Sequence, residues 1–260
     1  MNSSRSFDRV ADIYDQTRPL FEPIAKHGIQ AILDVIGPNA RVLDVGTGTG
    51  RISIPLLERG VDLIGCDLSR KMLMRLKEKR PSARTLESDA THLPFPSDHF
   101  DVVLAVHVLH LIPGWREALR EFKRVLLPGG SYANVKTWES VGESIRGRIR
   151  DYWRSWLKER GADTTLIGVR SNTDSLQELE SLGAHLTQIE VIRYPLEFTL
   201  REDLSHFAGR VCSDAWDIPE DIFEASVKEL RAWVEREYGD LDQPRADEVR
   251  FVIDVARFDR

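Results

Sequence analysis

The sequence predicts an α/β fold built around a parallel sheet, and three observations lead to this prediction. Short apolar runs alternate with amphipathic stretches between Arg41 and Val135, which is the pattern of successive βαβ units. The first apolar run ends in a glycine-rich turn, Gly46-Thr47-Gly48-Thr49-Gly50. The chain has 260 residues, 42% hydrophobic and 30% charged, as in a soluble globular protein. We therefore expect a single domain over residues 1–260.

Strands and helices are predicted in alternation within this region. The candidate strands, each brief, apolar and bounded by turn residues, are Arg41–Val45, Asp62–Asp67, Ala83–Ser88, Phe100–Val106 and Gly130–Lys136. The candidate helices between them are Gly50–Arg59, Arg70–Lys79 and Trp115–Val125. The last of these ends before Pro128-Gly129-Gly130, because this segment cannot extend a helix. An apolar-periodic segment, Phe21–Ile36, precedes the sheet and is interpreted as a helix that covers it.

The regular alternation ends after Val135. The predicted helices in this part are Glu143–Arg160, Thr173–Leu182, Thr199–Gly209 and Pro219–Tyr238. His185–Phe198 is interpreted as either a strand pair or one long strand, and Val249–Phe258 alternates as an edge strand should. The helices inserted among the last strands are our candidates for a cap over the active site.

Charge and composition argue against several functional classes. The net charge of −6 gives no overall basic field, so extended nucleic-acid binding would need a local basic patch. Met1–Val10 lacks the apolar segment of a secretory signal, and we expect an intracellular, cytoplasmic protein. The longest apolar stretch, Val102–Ile112, is far shorter than the about 20 residues of a membrane span. Cys66 and Cys212 have no partners at metal-ligand spacing, so we expect reduced thiols and no metal.

The glycine turn after the first strand is a candidate ligand-binding loop. Residues without a Cβ let the backbone turn sharply and approach a ligand closely, and the following helix presents free N–H groups. A dinucleotide-binding dehydrogenase and a purely structural turn also use such a run. The spacing here is Gly-x-Gly-x-Gly, with Asp44 two positions before Gly46 and Arg51 where a dinucleotide fingerprint has its last glycine.

Carboxylates follow the second and third strands. Asp67 lies 23 residues after Asp44, which is about the separation that places a carboxylate beside a ribose. A carboxylate can accept hydrogen bonds from both hydroxyls of that ribose. The alternative is that Asp67 only caps the next helix, with Ser69 as the N-cap residue. Asp89 could accept from an adenine amino group between the apolar side chains of Leu68 and Met72, or it could belong to a surface turn.

The fourth strand ends in a candidate catalytic segment. Val106 and His107 would lie at the carboxyl end of the sheet beside the first strand, where ligands bind in open α/β folds. An isolated histidine in an apolar segment is more often a hydrogen-bonded core residue than a catalyst, and this applies to His110 as well. His107 is our candidate general base for an acceptor that must lose a proton.

Several separate motifs in this region resemble those of class I S-adenosylmethionine-dependent methyltransferases, in particular the small-molecule branch similar to the ubiquinone and menaquinone biosynthesis enzymes. The matching segments are Leu43–Gly50, Gly65–Ser69 with Met72, Asp89–Phe95, Phe100–Val103 and Arg124–Gly130, which together cover about a third of the chain. Phe7–Pro19 resembles the N-terminal lid of these enzymes, in which a tyrosine and an arginine face the cofactor, here Tyr14 and Arg18. The alternative is a helix packed on the sheet.

The resemblance implies a Rossmann-like, seven-stranded, mostly parallel sheet of order 3-2-1-4-5-7-6, with helices on both faces, an antiparallel last strand and a small helical cap. It divides the chain into a lid (1–20), a cofactor-binding core (38–137) and cap insertions (138–182 and 199–240). It implies S-adenosylmethionine as cofactor. The implied cofactor-binding residues are Tyr14, Arg18, Gly46, Thr47, Gly48, Asp67, Leu68, Met72, Asp89, Ala90 and Val106.

The expected reaction is methyl transfer to a small-molecule acceptor, because the acidic net charge gives no broad phosphate-binding field and the resemblance implies the small-molecule branch. No motif in residues 131–240 points to one substrate, so the identity of the acceptor stays open. An apolar or aromatic acceptor is favoured by the aromatic residues Trp138, Tyr152, Trp153, Trp156, Phe207 and Trp216, although these could simply form a core. An anionic acceptor or RNA is favoured by Arg146, Arg148, Arg150 and Arg154. Two other classes stay open: a nicotinamide-dependent oxidoreductase and a non-catalytic protein that binds the cofactor as a regulator or partner subunit.

Overall fold

The computed structural model describes residues 7–18, 24–162, 167–169, 171–210 and 213–259. The ends of the predicted lid at residues 1–6 and 19–20, the start of the helix predicted from Phe21, and Cys212 lie outside these residues. Contacts between Cα atoms divide the chain into two compact units. The first contains Met1–Thr137, Ile167–Ile192 and Phe251–Arg260, and the second contains Trp138–Leu166 and Arg193–Arg250.

The sheet has seven strands in the order β3-β2-β1-β4-β5-β7-β6, which confirms the predicted topology. The strands are β1 (Arg41–Val45), β2 (Asp62–Asp67), β3 (Arg84–Glu87), β4 (Phe100–Val106), β5 (Leu126–Ser140), β6 (Ala184–Phe198) and β7 (Arg245–Phe258). The pairs β1–β2, β1–β4, β2–β3 and β4–β5 are parallel, and Val45 is in register with both Cys66 and Ala105. The ends of β1, β2 and β4 therefore meet at one edge. The antiparallel direction of the last strand stays a prediction.

The helices follow the predicted order with shifted ends. They are α1 (Tyr14–Thr17), α2 (Ile29–Ile36), α3 (Ser53–Glu58), α4 (Arg70–Lys79), α5 (Trp115–Val125), α6 (Ile145–Glu159), α7 (Asn172–Ser181), α8 (Leu200–Ala208) and α9 (Glu220–Tyr238). Short 3-10 turns lie at Phe7–Arg9, Leu109–Leu111 and Ser213–Ala215, and a π-helical segment, Ile24–Gly28, precedes α2. No helix among the described residues is long and apolar enough to cross a bilayer.

Two predicted boundaries are wrong for physical reasons, and one open alternative is resolved. Helix α3 begins at Ser53 rather than Gly50, because Gly50 has a φ of 86° and belongs to the preceding turn. Strand β5 begins at Leu126 and runs through Pro128-Gly129-Gly130, where a register shift opposite Phe100–Val102 absorbs the extra residues. The stretch predicted as a strand pair or one long strand is the single strand β6.

The core of the first unit lies around β1, β4 and one face of α5. Leu43, Val103 and Ala105 have no measurable exposure, and Phe122 of α5 is equally buried. This strong burial of both central strands is typical of a parallel sheet covered on its faces. The sheet therefore provides a rigid edge on which loops can hold a ligand.

The second unit has a helical core of its own, formed by α6, α8 and α9. Trp153 of α6 is buried and donates from Nε1 to Ser226 Oγ at 2.9 Å, and its ring meets Phe207 edge-on at 5.3 Å. Tyr152 stacks on Trp233 at 4.1 Å. These contacts favour the interpretation that Tyr152, Trp153 and Phe207 form a core, whereas Trp138 is 52% exposed.

The arginines of α6 pair with carboxylates of the second unit. Arg146 pairs with Asp203. Arg150 and Arg154 share the buried Asp214, and Arg148 pairs with Glu237. Because each guanidinium already has an acidic partner, these arginines do not support a basic patch for RNA or another polyanion.

We expect Gly46→Ala to destabilise the protein far more than Gly37→Ala. Both glycines have a positive φ, 72° and 76°, which L side chains rarely adopt, so both substitutions strain the backbone. A Cβ at Gly37 has no neighbour within 4 Å, whereas one at Gly46 would lie 2.0 Å from Val108 Cγ2. Overpacking adds roughly 1–3 kcal/mol. Urea unfolding measures the difference, and Val108→Ala should restore part of the loss. Equal losses at the two glycines would contradict this account.

Candidate functional site

A cavity that is open to solvent, with about 700 Å³ of space including its open side, lies in the first unit, where β1, β2 and β4 end. Ten of the twelve predicted site residues line it: Tyr14, Gly46, Gly48, Asp67, Leu68, Met72, Asp89, Ala90, Val106 and His107. The lining also includes Phe7, Val45, Cys66, Ser88, Val108, Leu111 and Ile112. Arg18 and Thr47 are not part of the lining. The parallel sheet thus brings most of the predicted residues together at the expected edge.

The glycine turn is fixed to the neighbouring strand by backbone hydrogen bonds. The amides of Gly46 and Thr47 both donate to the carbonyl of Cys66, at 2.8 and 3.0 Å. Gly46 and Gly48 adopt positive φ values of 72° and 55°. A Cβ at Gly48 would find only the Gly46 carbonyl, at 3.9 Å, so space remains open beside this residue. The turn therefore presents backbone rather than side chains to the cavity.

Thr47 has a different role from the one its position suggested. Its side chain is buried and its hydroxyl forms a hydrogen bond with Ser53 Oγ, which in turn donates to Asp44 Oδ2. Gly65 provides the necessary space, because a Cβ there would lie 2.8 Å from Thr47 Oγ1. The Thr47 hydroxyl supports the turn from within the protein.

Asp67 joins the ends of β1 and β2 and lines the cavity. Its Oδ2 accepts from the Gly48 amide at 2.9 Å, and its Oδ1 accepts from the Ser69 amide at 2.8 Å. Burial raises the pKa of this carboxyl, and the two backbone hydrogen bonds oppose that effect. Ser69 is the N-cap of α4, since its Oγ accepts from the Met72 amide. A carboxylate offers about four acceptor sites, so Asp67 can contact a further ligand.

Much of the cavity lining other than Asp67 and Asp89 is apolar. Met72 is 2% exposed, and Leu68 and Ala90 lie beside it in the cavity lining. Asp89 Oδ1 accepts from both the amide and the hydroxyl of Thr91, each at 2.9 Å. These bonds fix the orientation of the Asp89 carboxylate at the cavity wall.

His107 lines the cavity from the end of β4 in a strained conformation, with a φ of 53°. The amide of Thr137 donates to its Nε2 at 3.0 Å, so Nε2 is an acceptor and the ring proton lies on Nδ1. Burial, followed by the positive charge of Arg51, lowers the pKa of His107 to about 3. Its Nε2 is therefore a poor proton acceptor near neutral pH.

The N-terminal segment, residues 7–18, forms one aromatic side of the cavity. Phe7 and Tyr14 both line it, and their rings meet edge-on at 6.1 Å. The guanidinium of Arg18 lies 4.9 Å from the centre of the Tyr14 ring, and Arg51 donates to the Arg18 carbonyl at 3.4 Å. Arg18 thus supports the wall that Tyr14 forms.

A buried carboxylate, Asp44, lies directly beneath the glycine turn. It is 2% exposed, and burial raises its pKa to about 6. Ser53 donates to Oδ2, and Oδ1 has no hydrogen-bond partner among the described residues. The sequence placed Asp44 in the motif but gave no sign of its partner Ser53, which requires the turn of the chain into α3.

Because the pKa of Asp44 is raised, we expect the free energy of unfolding to fall as the pH rises from about 4 to 6. The folded protein holds the proton up to about pH 6, whereas the unfolded chain releases it near 3.8. The contribution of this group is therefore favourable below pH 4 and is lost as the pH rises towards 6, by roughly 2–3 kcal/mol. Unfolding free energies of the wild type and Asp44→Asn between pH 4 and 7 test this. The variant should lack this loss, and parallel curves would contradict the assignment.

Comparisons with known proteins agree with this geometry. Residues 43–133 match the family described as "Methyltransferase domain". An uncharacterized methyltransferase of Mycobacterium tuberculosis is 30% identical over 198 residues, which cover 75% of this chain and 71% of that protein. The demethylmenaquinone methyltransferase of Beutenbergia cavernae is 38% identical over 127 residues, covering 48% of this chain and 53% of that protein. The chain thus spans about half the length of this relative.

Solved structures share the fold. A putative methyltransferase from Bacillus halodurans has a TM-score of 0.61 at 18% identity and covers 90% of this chain and 98% of its own. The YcgJ protein from Bacillus subtilis has a TM-score of 0.62 at 17% identity, with coverages of 90% and 99%. With the relative from Mycobacterium tuberculosis aligned over most of both chains and the strand order described above, the chain belongs to the class I S-adenosylmethionine-dependent methyltransferases.

Proposed function

We propose that this protein transfers a methyl group from S-adenosylmethionine to a small-molecule acceptor, and that the cavity at the ends of β1, β2 and β4 holds the cofactor. The observation that carries the proposal is the partly buried Asp67 carboxylate, held by two backbone amides at the cavity wall next to the open space beside Gly48.

The lining residues around Asp67 and the glycine turn hold the cofactor. Asp67 accepts hydrogen bonds from the ribose hydroxyls, and Gly46 and Gly48 allow the backbone to approach. The adenine ring lies among apolar side chains, with Asp89 as acceptor for its amino group. The residues assigned to adenine and the adjoining wall are Leu68, Met72, Asp89, Ala90 and Val106.

The other end of the cavity receives the methionine portion. Tyr14 contacts it from the N-terminal segment, and Arg18, stacked on Tyr14, supplies a positive charge for its carboxylate. Thr47 supports the turn from within the protein, since its hydroxyl is engaged with Ser53 and its amide with the Cys66 carbonyl. The cofactor supplies an already activated sulfonium methyl group, so the main tasks of the chain are orientation and exclusion of water.

His107 is proposed as a positioning group beside the acceptor rather than as a general base. An effective base has a pKa near the working pH, and the pKa of His107 is lowered to about 3. If Nε2 of His107 accepted a proton from the acceptor, it would also lose the hydrogen bond that it accepts from the Thr137 amide. Proton loss from the acceptor is therefore not assigned to His107.

The acceptor is proposed to be a small apolar or aromatic molecule. The cavity wall after His107 is apolar, formed by Val108, Leu111 and Ile112. A relative of 38% identity carries the name demethylmenaquinone methyltransferase, which also points to an apolar acceptor. The arginines of α6, which would have favoured RNA, are paired with carboxylates.

Asp67→Asn should weaken binding of S-adenosylhomocysteine at least tenfold, because hydrogen bonds to a charged group contribute about 1.5–3 kcal/mol. Asp62→Asn is the matched control. Asp62 is at the other end of the same strand and pairs with Arg84 at the surface, so this substitution should leave the affinity unchanged. Isothermal titration calorimetry gives both values. Equal affinity for the wild type and a folded Asp67→Asn variant would remove the ribose assignment.

Incubation of cell extract with methyl-labelled cofactor tests the reaction itself. We expect protein-dependent label in the organic-soluble metabolite fraction rather than in nucleic acid or protein. Label mainly in RNA or protein would overturn the small-molecule acceptor. Tight cofactor binding with no label in any fraction would instead favour a non-catalytic binding protein.

A further inference from the structure

The N-terminal segment carries three carboxylates, and two of them contact the motifs that form the cavity. Asp8 Oδ1 accepts from Ser69 Oγ at 2.5 Å and from the Lys71 amide at 3.2 Å. Ser69 is the residue whose amide binds Asp67. Asp8 therefore touches the loop that orients the proposed ribose-binding carboxylate.

Asp15 makes the second connection. Its Oδ1 accepts from Thr49 Oγ1 at 2.6 Å, and its Oδ2 accepts from Lys79 at 2.9 Å. Thr49 is 1% exposed and lies in the glycine turn directly after Gly48. The carboxylate of Asp15 thus binds the turn from the side of the N-terminal segment.

These contacts close a ring. Asp8 binds Ser69, the Ser69 amide binds Asp67, and Asp67 binds the Gly48 amide. The next residue of the turn, Thr49, binds Asp15. The chain from residue 8 to residue 15 completes the ring and carries Tyr14, whose side chain lines the cavity.

We propose that Asp8 and Asp15 are positioning residues, which act through Ser69 and Thr49 to hold Asp67 and the glycine turn in the orientation that binds the cofactor. The inference rests on the proposed cofactor site. Because both motifs and the N-terminal segment share one hydrogen-bond ring, docking of this segment and cofactor binding reinforce each other. Such coupling is reciprocal, so the cofactor must also stabilise the docked segment.

The third carboxylate, Asp12, provides a matched control. It pairs with Arg75 on the exposed face of α4, and the two side chains are 71% and 43% exposed. Exposed ion pairs contribute little to stability. Asp12 lies on the same segment and loses the same charge on substitution, but its partner Arg75 does not belong to the glycine turn or to the loop around Asp67.

The test is a set of affinities for S-adenosylhomocysteine measured by calorimetry. We expect Asp15→Ala and Thr49→Val each to weaken binding about tenfold, and the double variant to lose about tenfold rather than a hundredfold, because both remove the same contact. Asp12→Ala should stay within twofold of the wild type. Additive losses, or equal losses for Asp12→Ala and Asp15→Ala, would overturn the inference.

Asp8 is tested through the ribose. If Asp8 acts on Asp67, Asp8→Ala should weaken binding of adenosylhomocysteine about tenfold but have a much smaller effect on the 2′-deoxyribose analogue. A merely structural role of Asp8 predicts the same loss for both ligands. Hydrogen exchange of residues 10–16 should slow on ligand binding in the wild type and in Asp12→Ala, and much less in Asp15→Ala.

Failure of the cofactor site and failure of the positioning role give different results. If the wild type does not bind adenosylhomocysteine, the proposed function is wrong. If it binds but the Asp8 and Asp15 variants behave as Asp12→Ala does, the cofactor site stands and the positioning role is wrong. Melting temperatures of all variants identify any that are unfolded, and Thr49→Val then provides the measurement at the Asp15 contact without altering the charge of the segment.

Discussion

The geometry of the cavity depends on the way the Asp67 carboxylate bridges two adjacent strand ends. Strands β1 and β2 pair in parallel with Val45 beside Cys66, so the loops that follow them start at the same level. The turn after β1 donates three amides to this neighbour, two to the Cys66 carbonyl and one to Asp67. Backbone amides without partners are costly when buried. The strand pairing therefore determines where the glycine turn lies.

Local sequence patterns predicted the order of the elements and most of the residues that line the cavity. Strands β1, β2 and β4 and helices α4 and α5 have the predicted bounds, because each combines an apolar period with a clear terminating residue. Most predicted site residues follow a parallel strand, and parallel strands end at one edge. The burial of the Thr47 side chain could not be predicted, since it depends on the hydrogen bond with Ser53 and on the missing Cβ of Gly65.

The role of His107 also needed the structure. The sequence identifies His107 only as a histidine in an apolar segment at the edge of the sheet where ligands bind. The bond from the Thr137 amide and the degree of burial depend on strand β5, which is brought beside β4 by the fold. The contacts of Asp8 and Asp15 were missed for the same reason: they join residues more than 30 positions apart, and the residues around them carry no periodic signal.

The close approach of Thr47 to Gly65 has a consequence for evolution. A Cβ at position 65 would lie 2.9 Å from the Cβ of Thr47, nearer than real Cβ atoms come, so side chains at both positions require the backbone to shift. Descendants of this sequence that acquire alanine at position 65 without such a shift pass first through glycine at position 47. That intermediate would have lost the hydroxyl that supports Asp44 and Ser53. The order of mutations is thereby restricted, and the pair should drift together or not at all.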